Sequence, residues 1–134
     1  MVAPARHIAT RVLFRVVHDD AWAAPTLDAE LRRGSVSRPD AALATQIVYG
    51  ALRALPDLET ALARHAKRPI KVDDWSRAAL LGAAFQMLHL ERVPPHAIVN
   101  DTVALVRDKR GKRVAGFANA ILRKLAADRP DAPR

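Results

Sequence analysis

The residues most suited to chemistry are the cations between positions 107 and 113. Five of these seven residues are basic, and the helical periodicity of the preceding segment stops where they begin. The pattern predicts a loop between two helices that presents positive charge to an anionic ligand. A charge run can equally be a solvated face, and that alternative stays open here. The predicted phosphate ligands in this run are Arg107, Lys109, Arg110, Lys112 and Arg113.

Further basic residues form smaller groups elsewhere in the chain. Arg11 and Arg15 fall on one face of the first predicted helix, together with His7. Arg123 and Lys124 are placed to extend the 107–113 run. A third group sits in a predicted turn and ranks lower as a ligand site; it consists of Lys67, Arg68 and Lys71.

Other kinds of chemistry find little support in the residue pattern. The chain has no cysteine, which excludes disulfides, thiolate metal sites and a cysteine nucleophile. Its five glycines form no phosphate-binding loop, and its five histidines show no metal-ligand spacing. The paired acids 19–20 and 73–74 lie at predicted helix ends, where caps and solvated turns explain them. We therefore expect no catalytic residue, no cofactor and no metal.

Length, composition and net charge limit the kind of protein that carries these residues. The chain of 134 residues is half hydrophobic and fits one domain. Its net charge of +8 indicates a polyanionic partner such as nucleic acid, although an excess of arginine can also serve solubility alone. No apolar run approaches the ~20 residues of a membrane span, and no signal-peptide pattern opens the chain, so we expect a cytoplasmic protein. The few aromatic residues favour recognition of RNA backbone and shape over base stacking.

Seven helices with short connections are predicted from the spacing of apolar residues and from helix caps. Ser37 and Asp40 form a capping box, and Asp73 or Asp74 caps the fifth helix. That fifth helix is apolar on nearly all sides and is therefore expected at the centre, with Gln86 needing a partner there. The tail from residue 128 is expected to fray. The predicted helices cover about residues 4–19, 26–33, 38–53, 56–67, 75–90, 95–106 and 114–126.

Several segments resemble the NusB-like family. Residues 93–101 carry Pro-Pro followed by Asn and an acid, and residues 116–123 carry Phe-x-Asn-x-Ile-Leu. Residues 42–53 and 81–88 agree with the same family, so the resemblance covers about residues 5–127. It implies an all-α, compact NusB-like bundle. The motifs Tyr-Gly-x-Leu-Arg and Asn-x-Ile-Leu-Arg are most similar to the N-terminal RNA-binding domain of RsmB-type (Sun/Fmu) rRNA cytosine-5 methyltransferases.

The resemblance implies that the chain engages rRNA beside a methyltransferase domain, as part of a longer protein or as a stand-alone relative. The alternative is an antitermination factor of the NusB type, which binds boxA RNA together with a ribosomal protein. The arginine-rich N-terminus of that type is matched in part by Arg6, Arg11 and Arg15, which complete the predicted RNA ligands. A protein-interaction module, monomeric or homodimeric, is the hypothesis from another class. Asn100 and Asn119 are interpreted as buried residues that hold the last helices together.

Overall fold

The structure, a computed structural model, describes residues 2–66 and 72–130. All regular structure within these residues is helical, which confirms the all-α class. The described residues form six helices where the sequence predicted seven, because the last two predicted helices form one element. They are α1 (Pro4–Asp19), α2 (Ala23–Gly34), α3 (Arg38–Arg53), α4 (Leu55–Arg64), α5 (Asp74–His89) and α6 (Pro95–Ala126).

Helix α5 lies at the centre of the bundle, as its apolar sequence predicted. It packs against α1, α3, α4 and α6. At Gly82, Ile47 of α3 and Leu13 of α1 lie 3.4 and 3.5 Å from where a Cβ would stand, which is ordinary van der Waals contact. Gln86 is buried in the core and finds its partners there: its amide donates to the Gly82 carbonyl at 3.1 Å, and its Oε1 accepts from Arg6 at 2.8 Å.

Two helices begin at the caps that the sequence predicted. The Ser37 hydroxyl accepts from the Asp40 backbone N–H at the start of α3. Asp73, rather than Asp74, caps α5, where its carboxylate accepts from the Ser76 backbone N–H at 3.0 Å and from the Ser76 hydroxyl at 2.7 Å. These bonds satisfy backbone donors that a helix start otherwise leaves free.

The prediction of a loop over 107–113 was wrong. The segment is helical apart from Gly111, whose φ of 82° and ψ of 180° break α6 into two arms. A side chain strongly disfavours this conformation, so glycine is what permits the break. The cations therefore stand on the ends of two helical arms at fixed directions, rather than on a loop.

Some predicted boundaries also differ. Helix α2 begins at Ala23, three residues before the predicted start, and α4 ends at Arg64. The tail was expected to fray from residue 128, but Arg129 is buried and donates to the carbonyls of Val93 and Glu91 at 3.1 and 2.8 Å. Residues 131–134 and the cluster of Lys67, Arg68 and Lys71 lie outside the described residues.

Candidate nucleic-acid interface

A cavity of about 430 Å³, here called the basic cavity, brings the two predicted cationic groups together. Helix α1 contributes Arg11 and Arg15, and α6 contributes Lys109 and Arg110 from the run that lies about 95 residues later in the chain. Helices α2 and α5 complete the walls. The remaining lining residues are His7, Phe14, Asp19, Glu30 and Trp75.

Aromatic packing forms the floor of the basic cavity. The Trp75 ring is buried, and its indole N–H donates to the Leu105 carbonyl at 2.9 Å, which fixes α5 to α6. Phe14 packs edge-on against Trp75 with ring centroids 5.6 Å apart. The Lys109 ammonium lies 4.7 Å above the centre of the Trp75 ring, a cation–π contact that holds this charge at the cavity.

The cations of the basic cavity are oriented by acidic partners. Glu30 is almost completely buried and lies 3.3 Å from Arg11 Nε, while Asp19 lies 3.5 Å from Arg15 Nε. A guanidinium carries five N–H donors, so one carboxylate contact leaves several donors available for a ligand. The side chains of Arg11 and Arg15 remain 43% and 51% exposed, which leaves them accessible to an anion. Asp19 follows Arg15 at the helical spacing of four residues, whereas sequence spacing gave no signal for Glu30.

Arg110 has a second role besides lining the cavity. Its Nε donates to the Asp73 carboxylate at 2.7 Å, which ties the break in α6 to the start of α5. Burial alone would raise the pKa of the Asp73 carboxyl, but hydrogen bonds from Arg110 and Ser76 outweigh it and lower that pKa. The charged carboxylate therefore holds Arg110 in place at neutral pH.

His7 shares the electrostatic environment of the basic cavity. Partial burial of the ring lowers the pKa of His7, and the positive charges of Arg11 and Lys109 lower it further. His18, at the other end of the same helix face, is hydrogen-bonded through Nδ1 to the Asp74 carboxylate at 2.8 Å. That hydrogen bond is the main cause of the raised pKa of His18.

The structure places Arg6 apart from the other predicted ligands. Its side chain is 11% exposed, pairs with Asp101 at 2.9 Å and donates to Gln86 at 2.8 Å. Asp101 also accepts from the Ala3 backbone N–H at 3.1 Å. These contacts hold the start of α1 against α5 and α6, and Arg6 does not line the basic cavity.

A second cavity, also of about 430 Å³ and here called the carboxamide cavity, takes the remaining cations of the run except Arg113. Arg107 and Lys112 line it from the two arms of α6. Asn100 and Asn119 line it as well, so the expectation that both are buried was wrong: Asn100 is exposed, and Asn119 is half-buried. The other lining residues are Val103, Ala104, Ala115 and Gly116.

One exposed aromatic residue gave no sequence signal. Trp22, at the start of α2, is 83% exposed, whereas Tyr49 and Phe117 are exposed by only 37% and 38%. An apolar residue that precedes a helix is usually expected to pack against it, which is why the sequence offered no hint of this exposure.

Neither a metal-binding cluster nor a membrane-spanning helix is found in residues 2–66 and 72–130. These residues contain no group of three or more metal-ligating side chains. No helix among them is long and apolar enough to cross a membrane.

Comparison with known proteins identifies a family and relatives for this chain. The model of the NusB family matches residues 3–127. The ribosomal RNA small subunit methyltransferases B of Vibrio cholerae and Vibrio vulnificus are 32% and 36% identical over 92% and 88% of this chain. The chain spans only 28% and 27% of the length of these two relatives.

Solved structures confirm the fold. The antitermination factors NusB and NusE in complex with dsRNA include a chain with a TM-score of 0.84 and 18% identity, over 93% of this chain and 95% of that one. Thermotoga maritima NusB gives a TM-score of 0.83 at 17% identity, over 99% and 96% of the two chains. The predicted NusB-like bundle is therefore confirmed.

Proposed function

The chain belongs to the NusB family, and from this premise we propose that it binds RNA through the basic cavity. The observation that carries the proposal is the convergence of Arg11 and Arg15 with Lys109 and Arg110 in one concave site. Clustered and accessible cations are what a phosphate backbone requires, and each phosphate that they neutralise contributes through counterion release. Arg107, Lys112 and Arg113 are exposed on the same helix, α6, and complete the positive surface in this proposal.

We propose rRNA as the substrate and a supporting rather than catalytic role. The relatives are small-subunit rRNA methyltransferases, of which this chain matches little more than a quarter. A chain of this extent fits an RNA-engaging domain that positions rRNA for a methyltransferase domain, with no catalytic residue of its own. Such a role belongs in the cytoplasm, where rRNA is matured.

The second candidate is a NusB-type antitermination factor. It is favoured by the match to a chain of the complex of NusB, NusE and dsRNA, which covers almost the whole of both chains. In that case the chain binds a boxA-like single strand and a ribosomal protein, as a monomer or homodimer. The two candidates differ in which RNA binds more tightly, and that difference is measurable.

Fluorescence anisotropy with three RNAs tests the proposal. They are a small-subunit rRNA hairpin, a boxA-like single strand and a scrambled strand, each titrated at low and near-physiological salt. We expect tightest binding to the hairpin and a steep salt dependence. Preference for the boxA strand would favour the second candidate, whereas no binding to any RNA at low salt would overturn RNA binding as the function.

Charge reversal locates the site in the same assay. Arg15→Glu should weaken binding to all three RNAs and flatten the slope of log K against log salt by roughly 0.7–0.9 for each phosphate that is no longer neutralised. Arg92→Glu is the matched control, since it makes the same charge change at an exposed position beyond the other end of α5. Equal effects of the two substitutions would show that net charge, rather than the basic cavity, drives binding.

A further inference from the structure

The chain contains only two asparagines, Asn100 and Asn119, and both line the carboxamide cavity. They come from different arms of α6, on the two sides of the break at Gly111. Arg107 and Lys112 stand with them in the same cavity, one from each arm. Four hydrogen-bonding side chains therefore converge from two helical segments on one concave site.

The hydrogen bonding of Asn119 decides which atoms it offers to a ligand. Arg123 Nε lies 3.2 Å from Asn119 Oδ1. An arginine only donates, so the Asn119 oxygen must face Arg123, which directs the amide group with its two N–H donors away from Arg123. Arg107 and Lys112 also only donate. At least three of the four polar side chains thus present donors.

The two cavities differ in the charge of their linings. Asp19 and Glu30 stand among the cations of the basic cavity, whereas no carboxylate of the described residues lines the carboxamide cavity. A ligand of the carboxamide cavity meets two positive charges and amide donors without a competing acid from this part of the chain. This combination fits an oxyanion, because charge-assisted hydrogen bonds to a phosphate are the strongest that such donors can make.

We propose that the carboxamide cavity is a second anion site that holds a phosphodiester of the bound RNA, with Asn100 and Asn119 as ligands beside Arg107 and Lys112. This inference rests on the proposed RNA-binding function and extends it. Lys109 and Arg110 face the basic cavity, while Arg107 and Lys112 face the carboxamide cavity. The proposed RNA backbone accordingly contacts α6 at both cavities, through cations of the same 107–112 stretch.

Substitution of the asparagines tests the proposal. Asn119→Asp keeps the oxygen that accepts from Arg123 but replaces the amide donors by negative charge, and Asn100→Asp makes the same change on the other arm. Each should weaken RNA binding about tenfold or more, equally for hairpin, boxA-like and scrambled RNA, since a charge-assisted hydrogen bond is replaced by repulsion. Gln46→Glu is the matched control: an exposed carboxamide on α3 undergoes the same chemical change and should leave affinity within about twofold.

Side-chain amide signals in ¹⁵N NMR spectra give a direct readout on the unaltered chain. The chain has four carboxamides, those of Asn100, Asn119, Gln46 and Gln86. Titration with inorganic phosphate, and separately with the rRNA hairpin, should shift both asparagine signals and leave the exposed Gln46 signal in place. Unmoved asparagine signals in both titrations would overturn the proposal.

The binding outcomes separate this inference from the proposed function. If the unaltered chain binds RNA and both Asn→Asp variants bind equally well, the phosphate site is wrong while RNA binding stands. If the variants lose affinity for some sequences only, the cavity reads a base, which also overturns the phosphate site. If the unaltered chain binds no RNA, the proposed function fails and this inference fails with it.

Discussion

Arg6 and Arg15 are basic residues of the same helix with opposite surroundings. Arg6 is 11% exposed and bonded to Asp101 and Gln86, whereas Arg15 is 51% exposed at the rim of the basic cavity. Removing one partner of a largely buried ion pair leaves the other charge without compensation. The two arginines should therefore contribute to different properties, Arg6 to stability and Arg15 to RNA binding.

Arg6→Ala should lower the free energy of unfolding by roughly 3 kcal/mol, because Asp101 and the Gln86 oxygen lose their partner in a poorly hydrated setting. Urea unfolding measures the change, with an unaltered denaturant slope as evidence of the same two-state transition. Arg15→Ala is the control and should change stability by at most about 0.5 kcal/mol. Unchanged stability with weakened RNA binding in Arg6→Ala would instead make Arg6 an RNA ligand, as the sequence suggested.

Residue type and spacing located the cations but not the buried acid beside Arg11. Arg11 and Arg15 were predicted on one face because helical spacing is regular, and the structure places them together in the basic cavity. The burial of Glu30 beneath Arg11 depends on how α2 docks on α1, which no local pattern records. Asn100 was expected to be buried because the family motif that contains it suggested a structural role. In the structure it is exposed on α6, and the motif alone does not distinguish the two positions.

At the scale of elements, α3 and α5 approach each other at Gly50. A Cβ placed on Gly50 would overlap the ring of Phe85, which also stacks on His89 with centroids 5.3 Å apart. Glycine in a helix interior costs about 1 kcal/mol relative to alanine. The chain carries that cost at Gly50 because the ring occupies the space that a side chain would need.

Gly50→Ala should destabilise the fold by about 1–2 kcal/mol, since displacing Phe85 costs more than the gain in helix propensity. Gly116→Ala is the matched substitution in α6, where an added Cβ meets no atom within 4 Å. It should stabilise by about 0.5–1 kcal/mol through helix propensity alone. Thermal unfolding of both variants checks the opposite signs, and stabilisation by Gly50→Ala would show that the ring moves aside without cost.

Helix α6 shows where periodicity stops being informative. Its apolar positions before residue 107 and after residue 113 predicted both arms, but the charged stretch between them carries no apolar pattern and was interpreted as a loop. In the structure the stretch is helical on both sides of Gly111, and its cations line two different cavities. The directions of the arms depend on tertiary packing of α6 against α5, α4 and α1 rather than on local periodicity.

At the scale of the whole molecule, the chain carries a net charge of +8, and four of its cations line the basic cavity. Composition predicted a polyanionic partner, but the concave shape of the site arises from tertiary contacts between α1, α2, α5 and α6. Burial lowers the pKa of His7, and the positive charges of Arg11 and Lys109 in the basic cavity lower it further. RNA phosphates that neutralise these cations would remove their effect and raise the pKa of His7. Binding of RNA should therefore be coupled to uptake of a proton by His7.

RNA affinity should therefore rise as the pH falls below about 6.5, toward the lowered pKa of His7 in the free chain, by at most tenfold per pH unit for a single proton. The stability of the free chain should change in the opposite direction and fall as the pH falls. Because the pKa of His7 is lower in the folded state than in the unfolded state, protonation favours unfolding, and the contribution of His7 to stability is lost as the pH falls below about 6.5 toward the folded pKa. Bound phosphate raises that pKa and removes this penalty.

Anisotropy titrations at constant ionic strength across this pH range measure the coupling. His7→Ala should flatten the dependence of affinity on pH. His96→Ala is the matched control, because His96 is exposed in the first turn of α6 and lines neither cavity, so the dependence should persist. The pKa of His18 is shifted the opposite way, above its usual value, chiefly by its hydrogen bond to Asp74. A pH dependence that survives His7→Ala would mean that the RNA phosphates do not enter the basic cavity beside this ring.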